Sequence, residues 1–371
     1  MLGKNRRLAV LAEGSFTPLD GKTAVGVLRY RPREVVAVID STRAGRTAAE
    51  CTGVGGAIPV VADVAAAAAR GADGLLIGIA PQGGELPPAW RTVVHDALAR
   101  GWDVLSGLHA FLADDPELAA LAAAHGGRLI DVRRPPARRP VAAARAADAS
   151  ALVVLTVGSD CNVGKMTAGL ELRAALEARG TRAAFVATGQ TGIFVADQGT
   201  AVDAVPADFV AGVVEEMVLA AARGEGGDAP EVVIVEGQGA LHHPGYSGVT
   251  LALLHGAAPG AMVLCHASAR DRVRVGGRSG APGLTGGPAV PPLAELVRVY
   301  EQAAAWVRPA PVVAIALNTL GLDEGAARAA VAAAARETGL PAGDPVRFGA
   351  EPIAAAVLDH LNARRRHATA T

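Results

Sequence analysis

Aromatic residues and cysteines are scarce in this chain: 3% of its residues are Phe, Trp or Tyr, and three are Cys. Cys51, Cys161 and Cys265 are widely spaced, odd in number and without a CxxC pair, which argues against a disulfide framework or zinc site and for a reducing, cytoplasmic setting. A catalytic thiol stays open, chiefly at Cys161. An excess of either charge is also missing. Lys and Arg total 35 against 36 acidic residues, so no basic field draws nucleic acid or an anionic membrane, and small molecules are the expected partners. No apolar run reaches transmembrane length. The start, "MLGKNRRLAVLAEGSF", has too short an apolar run for a secretion signal and reads as a first strand.

Alanine and alternating short apolar runs are abundant. Hydrophobic residues make up 51% of the chain, and "ADVAAAAARGAD" and "AARAAVAAAARETG" place much of that content in Ala-rich helices. At 371 residues the chain suits two domains, each able to bury a core. Strands are expected over 7–11, 34–39, 74–79, 103–106 and 128–131, with helices over 61–70, 88–100 and 116–125. A second series follows: strands over 151–157, 182–188, 231–236, 261–266 and 311–318, and helices over 167–179, 207–223, 292–307 and 324–338. Such alternation is the pattern of parallel sheets covered by helices. "RRPPARRPVAAARAADAS" (133–150) has no strand pattern. The expected division is an α/β domain over 1–135, a linker over 136–150 and a second α/β domain over 151–371.

The second domain opens with "VVLTVGSDCNVGKMTAGLELRAALEARG". Gly158, Ser159, Asp160, Asn162, Val163, Gly164 and Lys165 follow an apolar strand and precede a helix. Glycines there let backbone N–H groups converge on an anion, the helix start adds partial positive charge, and Lys165 supplies a full one. A phosphate group is the expected ligand. Counted from Gly158, the spacing is one residue longer than the GxxxxGK form, and Met166 stands where a magnesium-binding hydroxyl is usual. A thioether cannot serve a hard cation. Thr167 and Glu236 are therefore metal candidates only if magnesium is used.

Three further stretches carry polar residues beyond strands, where open α/β sheets place their ligands. "EVVIVEGQGALHHPGYSGVTLALLHG" offers Glu236 and His242 as base candidates, with Gln238, His243 and Tyr246 as substrate contacts. Backbone N–H groups over 237–239 are candidate oxyanion donors. "ATGQTGIFVADQGTAVDAVPADF" offers Gln190 and Thr191 in a polar turn and Asp203 as a catalytic candidate; Asp208 reads equally well as the start of a helix. "CHASARDRVRVGGR" carries Arg270, Arg272, Arg274 and Arg278, of which Arg270, nearest the strand, is the candidate for gripping a carboxylate or phosphate. The Gly/Pro-rich run 274–292 reads as a mobile surface loop.

"GSDCNVGKMT", "TGQTG", "VDAVPADFVAG", "EGQGALHHPGYSGVTLALLHG", "VLCH" and "ALNT" together resemble the D-glutamate N-acetyltransferase family. "TAVGVLRY", "IGIAPQGGELPPAWR" and "SGLHAFLADDPEL" extend the resemblance over most of the chain. It implies a Rossmann-like N-terminal domain followed by a P-loop NTPase-like α/β domain similar to dethiobiotin synthetase. It also implies transfer of an acetyl group from acetyl-CoA to the amino group of an acidic amino acid. The loop would then hold CoA phosphates without hydrolysis. The segment after "VLCHASAR" is more glycine-rich than the family pattern, which bears on the acceptor. Two other classes stay open on the residues alone. One is an ATP- and Mg-dependent enzyme activating a carboxylate or carbamate, with Lys165, Thr167, Asp160 and Glu236 around the nucleotide; the other is a nucleotide sensor. A symmetric homo-oligomer is the default assembly.

Overall fold

The computed structural model describes residues 6–18, 20–79, 84–224, 228–275 and 286–370. Residues 276–285, which hold Arg278 and most of the Gly/Pro-rich run, lie outside that set. The chain divides into two compact units. One comprises 1–136 and 189–204, and the other 137–188 and 205–371.

The first unit is built on six parallel strands: β1 (Leu8–Leu11), β2 (Val35–Ile39), β3 (Val60–Val61), β4 (Gly74–Ile77), β5 (Asp103–Ser106) and β6 (Leu129–Asp131). Their order, β3-β2-β1-β4-β5-β6, is that of a doubly wound Rossmann-like sheet. β1 and β4 are buried at every residue, as strands covered on both faces must be, so they read as unbroken apolar runs. Residues 60–61, at the start of the expected helix, instead pair as a strand, with Val38 opposite Val60 and Ile39 opposite Val61. The helix begins only at Val64, where the Asp63 side chain accepts from the Ala66 N–H. A two-residue strand is too short to show a period of its own.

The second unit carries β7 (Leu152–Gly158), β8 (Ala183–Val186), β9 (Val232–Val235), β10 (Ala261–Ala267), β11 (Val312–Asn318) and β12 (Ala342–Gly343). All its ladders are parallel, in the order β12-β11-β10-β7-β9-β8. Central β7 thus has β9 on one side and β10 on the other. Cys265 stands opposite Gly158 and Val235 opposite Leu155, which brings the three carboxyl ends together. The expected linker is not free chain: residues 137–150 belong to this unit. Fully buried Glu215, on the helix Ala207–Arg223, accepts from the Ala143 N–H at 3.1 Å and the Arg145 N–H at 2.7 Å. No described helix is long and apolar enough to cross a membrane.

Candidate functional site

All seven residues of β7 are buried, and its last, Gly158, opens the loop. Asn162 (φ 55°) and Gly164 (φ 106°) take left-handed conformations, the first tolerated by a short polar side chain and the second natural to glycine. The helix Lys165–Ala178 then starts without a side-chain cap. First-turn N–H groups lack intrahelical partners, so this end suits an anion.

Lys165 is 6% exposed and packs against two of the glycines. A Cβ on Gly158 would sit 2.9 Å from Nζ, and one on Gly237 would stand 3.3 Å from Cδ and collide with the Thr156 carbonyl. Nζ donates to the Asp160 carbonyl at 2.7 Å and the Gly239 carbonyl at 2.9 Å. The GSDCNVGK loop and the EGQG turn therefore meet at one ammonium. Met166 is 7% exposed and packs inward, whereas Thr167 is half-buried.

Asp160 is fully buried, and its carboxylate organises the neighbourhood. It accepts from the Cys161 N–H at 2.6 Å, the Arg274 N–H at 2.9 Å and the Arg270 guanidinium. Arg270 is thus anchored within the protein through Nη1. His243, 2% exposed, donates from Nε2 to the Arg274 carbonyl at 2.7 Å and accepts at Nδ1 from the Gly245 N–H at 3.0 Å. Its ring lies 4.5 Å from that of Tyr246, which is 50% exposed. His243 therefore ties the turn to Arg274, while Tyr246 remains open to a ligand.

His242 differs from its neighbour. Both ring nitrogens are enclosed, and neither makes a hydrogen bond of ordinary geometry. Burial lowers its pKa from 6.5, opposed by the Ser159 backbone and Asp160 and reinforced by His243. The ring is uncharged at neutral pH and has a lone pair to offer.

Glu236, 7% exposed, accepts at Oε2 from the Thr188 N–H at 2.9 Å. Thr188 Oγ1 donates to the Glu236 carbonyl at 2.8 Å, and Gln238 Nε2 donates to the Thr188 carbonyl at 2.5 Å. These contacts clasp the ends of β8 and β9. The Gly237 N–H, expected as an oxyanion donor, goes instead to Thr156 Oγ1 at 2.9 Å.

Asp203, Gln190 and Thr191 belong to the first unit, and the P-loop residues belong to the second. "TGQTG" is not a polar turn but the start of the helix Gln190–Ala196. Arg133, 6% exposed, donates to the Gly107 carbonyl at 2.6 Å, to Gln190 Oε1 at 2.7 Å and to Asp203. Thr191 Oγ1 shares a buried hydrogen bond with Thr23 Oγ1 at 2.8 Å. These three residues thus fasten segment 189–204 within its own unit.

Among the described residues, Asp160, Cys161 and His243 are the group whose ligand atoms converge enough for a metal, within 4.8 Å. Asp160 is already paired with Arg270, and both His243 nitrogens are in hydrogen bonds, so this set fits a cation poorly. Among the described residues, Glu236 belongs to no such group.

The sequence pattern gave no role to two residues of this neighbourhood. Tyr300, fully buried, donates to the Gly158 carbonyl at 2.7 Å and accepts from the Leu241 N–H at 3.3 Å, joining the loop to the histidine turn. Ser159 Oγ and His266 Nδ1 lie 2.8 Å apart. The available signal for His266 was its place at the end of the apolar run "AMVLC", directly beside the P-loop strand.

The P-loop domain of DUF1611, described as a domain of unknown function, matches residues 140–354, and the Rossmann-like DUF1611 N-terminal domain matches 41–135. A D-glutamate N-acetyltransferase from Tritonibacter scottomollicae is 38% identical over 333 residues, covering 90% of this chain and 92% of that protein. Another of that name from a Pseudoalteromonas species is 34% identical over 292 residues, covering 78% and 82%. The crystal structure of a DUF1611 family protein from Anabaena variabilis is 41% identical and superposes with a TM-score of 0.87 over 96% of this chain and 100% of that one.

Proposed function

We propose, because this chain belongs to the DUF1611 family with the D-glutamate N-acetyltransferases it matches, that it transfers an acetyl group from acetyl-CoA to the amino group of an acidic amino acid. The observation that carries this reading is the uncharged imidazole of His242, whose nitrogens make no hydrogen bond of ordinary geometry, beside the loop at Ser159 and Asp160. Acyl transfer to an amine needs such a base, whereas phosphoryl transfer relies chiefly on charge and metal. The buried Met166 directly after Lys165 points the same way.

In this reading the N–H groups at the start of the helix Lys165–Ala178, together with Lys165, hold CoA phosphates. Once a movement of its ring brings one of the enclosed nitrogens to the substrate, His242 removes one proton from the substrate ammonium, and the freed nitrogen attacks the thioester carbonyl carbon. The carbon–sulfur bond breaks, CoA leaves as the thiol with the second proton, and an N-acetyl amino acid remains. Arg270, held to Asp160 through Nη1, turns its remaining N–H donors to a substrate carboxylate.

The test is incubation with acetyl-CoA and D- and L-forms of glutamate, aspartate and neutral amino acids, following thiol release and acetylated product by mass spectrometry. The expected outcome is thiol release matched by N-acetylated acidic amino acid. A thermal shift with ATP and magnesium but none with acetyl-CoA, and no acetylated amine, refutes the reading and favours carboxylate or carbamate activation.

A further inference from the structure

We propose that His266 presents its Nε2–H as the hydrogen-bond donor that takes the oxyanion of the tetrahedral intermediate, an assignment that rests on the acyl transfer proposed above. The need is chemical. When the amine adds to the thioester, the carbonyl oxygen becomes an alkoxide, and a donor fixed in advance lowers that barrier.

Two of the expected donors are committed: the Gly237 N–H goes to Thr156 and Gln238 Nε2 goes to Thr188, while Arg270 is held to Asp160 through Nη1. His266 stands one residue beyond the Cys265–Gly158 register pair, at the carboxyl end of β10 beside the first loop residue. Its surroundings decide where its proton lies. Ser159 is fully buried, and the structure gives its hydroxyl one hydrogen-bond partner, His266 Nδ1 at 2.8 Å. Were Nδ1 the donor, the hydroxyl proton would be buried without an acceptor, an unfavourable arrangement. The hydroxyl therefore donates to Nδ1, and the ring proton sits on Nε2.

Two further facts fit a donor. Nε2 makes no hydrogen bond among the described residues and is not enclosed, so a ligand atom can reach it. Burial lowers the ring's pKa from 6.5; Glu337 opposes the shift and Arg270 reinforces it. An uncharged imidazole N–H supports an oxyanion without surrendering its proton, a division of labour known in other enzymes. His242 and His266 then split the work by their ties. His242 has both nitrogens untied and can accept a proton, whereas Ser159 holds His266 in the donor tautomer.

The test has two independent readouts. Long-range proton–nitrogen NMR on 15N-labelled protein at pH 7 is expected to show His266 as the Nε2–H tautomer, with Nδ1–H appearing in Ser159→Ala. In acetyl transfer, His266→Ala is expected to lower kcat about 100-fold with KM for acetyl-CoA nearly unchanged, the scale of a lost oxyanion donor. His266→Gln, which keeps a side-chain N–H, should recover part of that loss and also controls for misfolding. An Nδ1–H or charged ring at pH 7, or a His266→Ala kcat within threefold of wild type, overturns the proposal. A wild-type protein that acetylates no amine refutes the acyl-transfer reading itself and the oxyanion role with it, while the NMR result still reports the tautomer.

Discussion

Replacing Tyr300 with Phe tests whether the loop and the histidine turn depend on one buried hydroxyl. The ring stays, so packing is conserved and only an oxygen is lost. That oxygen donates to the Gly158 carbonyl at 2.7 Å and accepts from the Leu241 N–H at 3.3 Å, inside a fully buried environment. The shorter bond has ordinary geometry and the longer one is weak. Losing the first and leaving two buried backbone groups poorly satisfied costs about 2 kcal/mol, toward the middle of the range for unsatisfied buried groups. Because the chain has two units, a single unfolding midpoint is a poor reporter, and local hydrogen exchange is better. At a tenfold change per 1.4 kcal/mol, exchange around 158–163 and 241–243 should quicken roughly 30-fold in Tyr300→Phe, with peptides of the first unit unchanged. Exchange in those peptides within twofold of wild type would refute the reasoning, because the hydroxyl would then hold neither segment.

Other expectations follow from the same geometry. Lys165→Ala should weaken CoA binding by about 2 kcal/mol or more, the scale of a lost charge-assisted contact; unchanged affinity by calorimetry removes the loop from the site. Burial places the folded pKa of His242 below 6.5, so the base should stay competent below that pH, and the acid limb of kcat/KM should fall under 6.5. The same sign governs stability: the contribution of His242 and His266 is fully present above 6.5 and is lost as pH falls toward their lower folded values. An acid limb above 6.5 would contradict burial as the dominant cause. Arg133→Met, which removes the donors to Gly107, Gln190 and Asp203, should loosen segment 189–204 by about 2 kcal/mol. Faster protease cleavage within that segment is the expected sign, and an unchanged pattern would show that other contacts hold it.

Local chemistry made much of this protein legible in its sequence. Buried parallel strands are chiefly apolar, so β1, β4 and β9 declare themselves as unbroken runs and β7 and β10 as nearly continuous ones, and helices fit between them. The loop was equally plain, because a strand, glycines, a lysine and a helix in that order have few other uses. The short strands β3 and β12 left no such mark, since two residues show no period. What each polar side chain faces was decided only by the tertiary fold. Tertiary packing puts Glu215 against residues 143–145, Asp160 against Arg270 and His266 beside Ser159, partners 70 or more positions apart. His242 and His243 are neighbours of identical type, yet one is tied to Arg274 and the other keeps both nitrogens untied. Residue type sets which bonds a side chain can make; which of them it makes depends on what long-range packing brings within 3 Å.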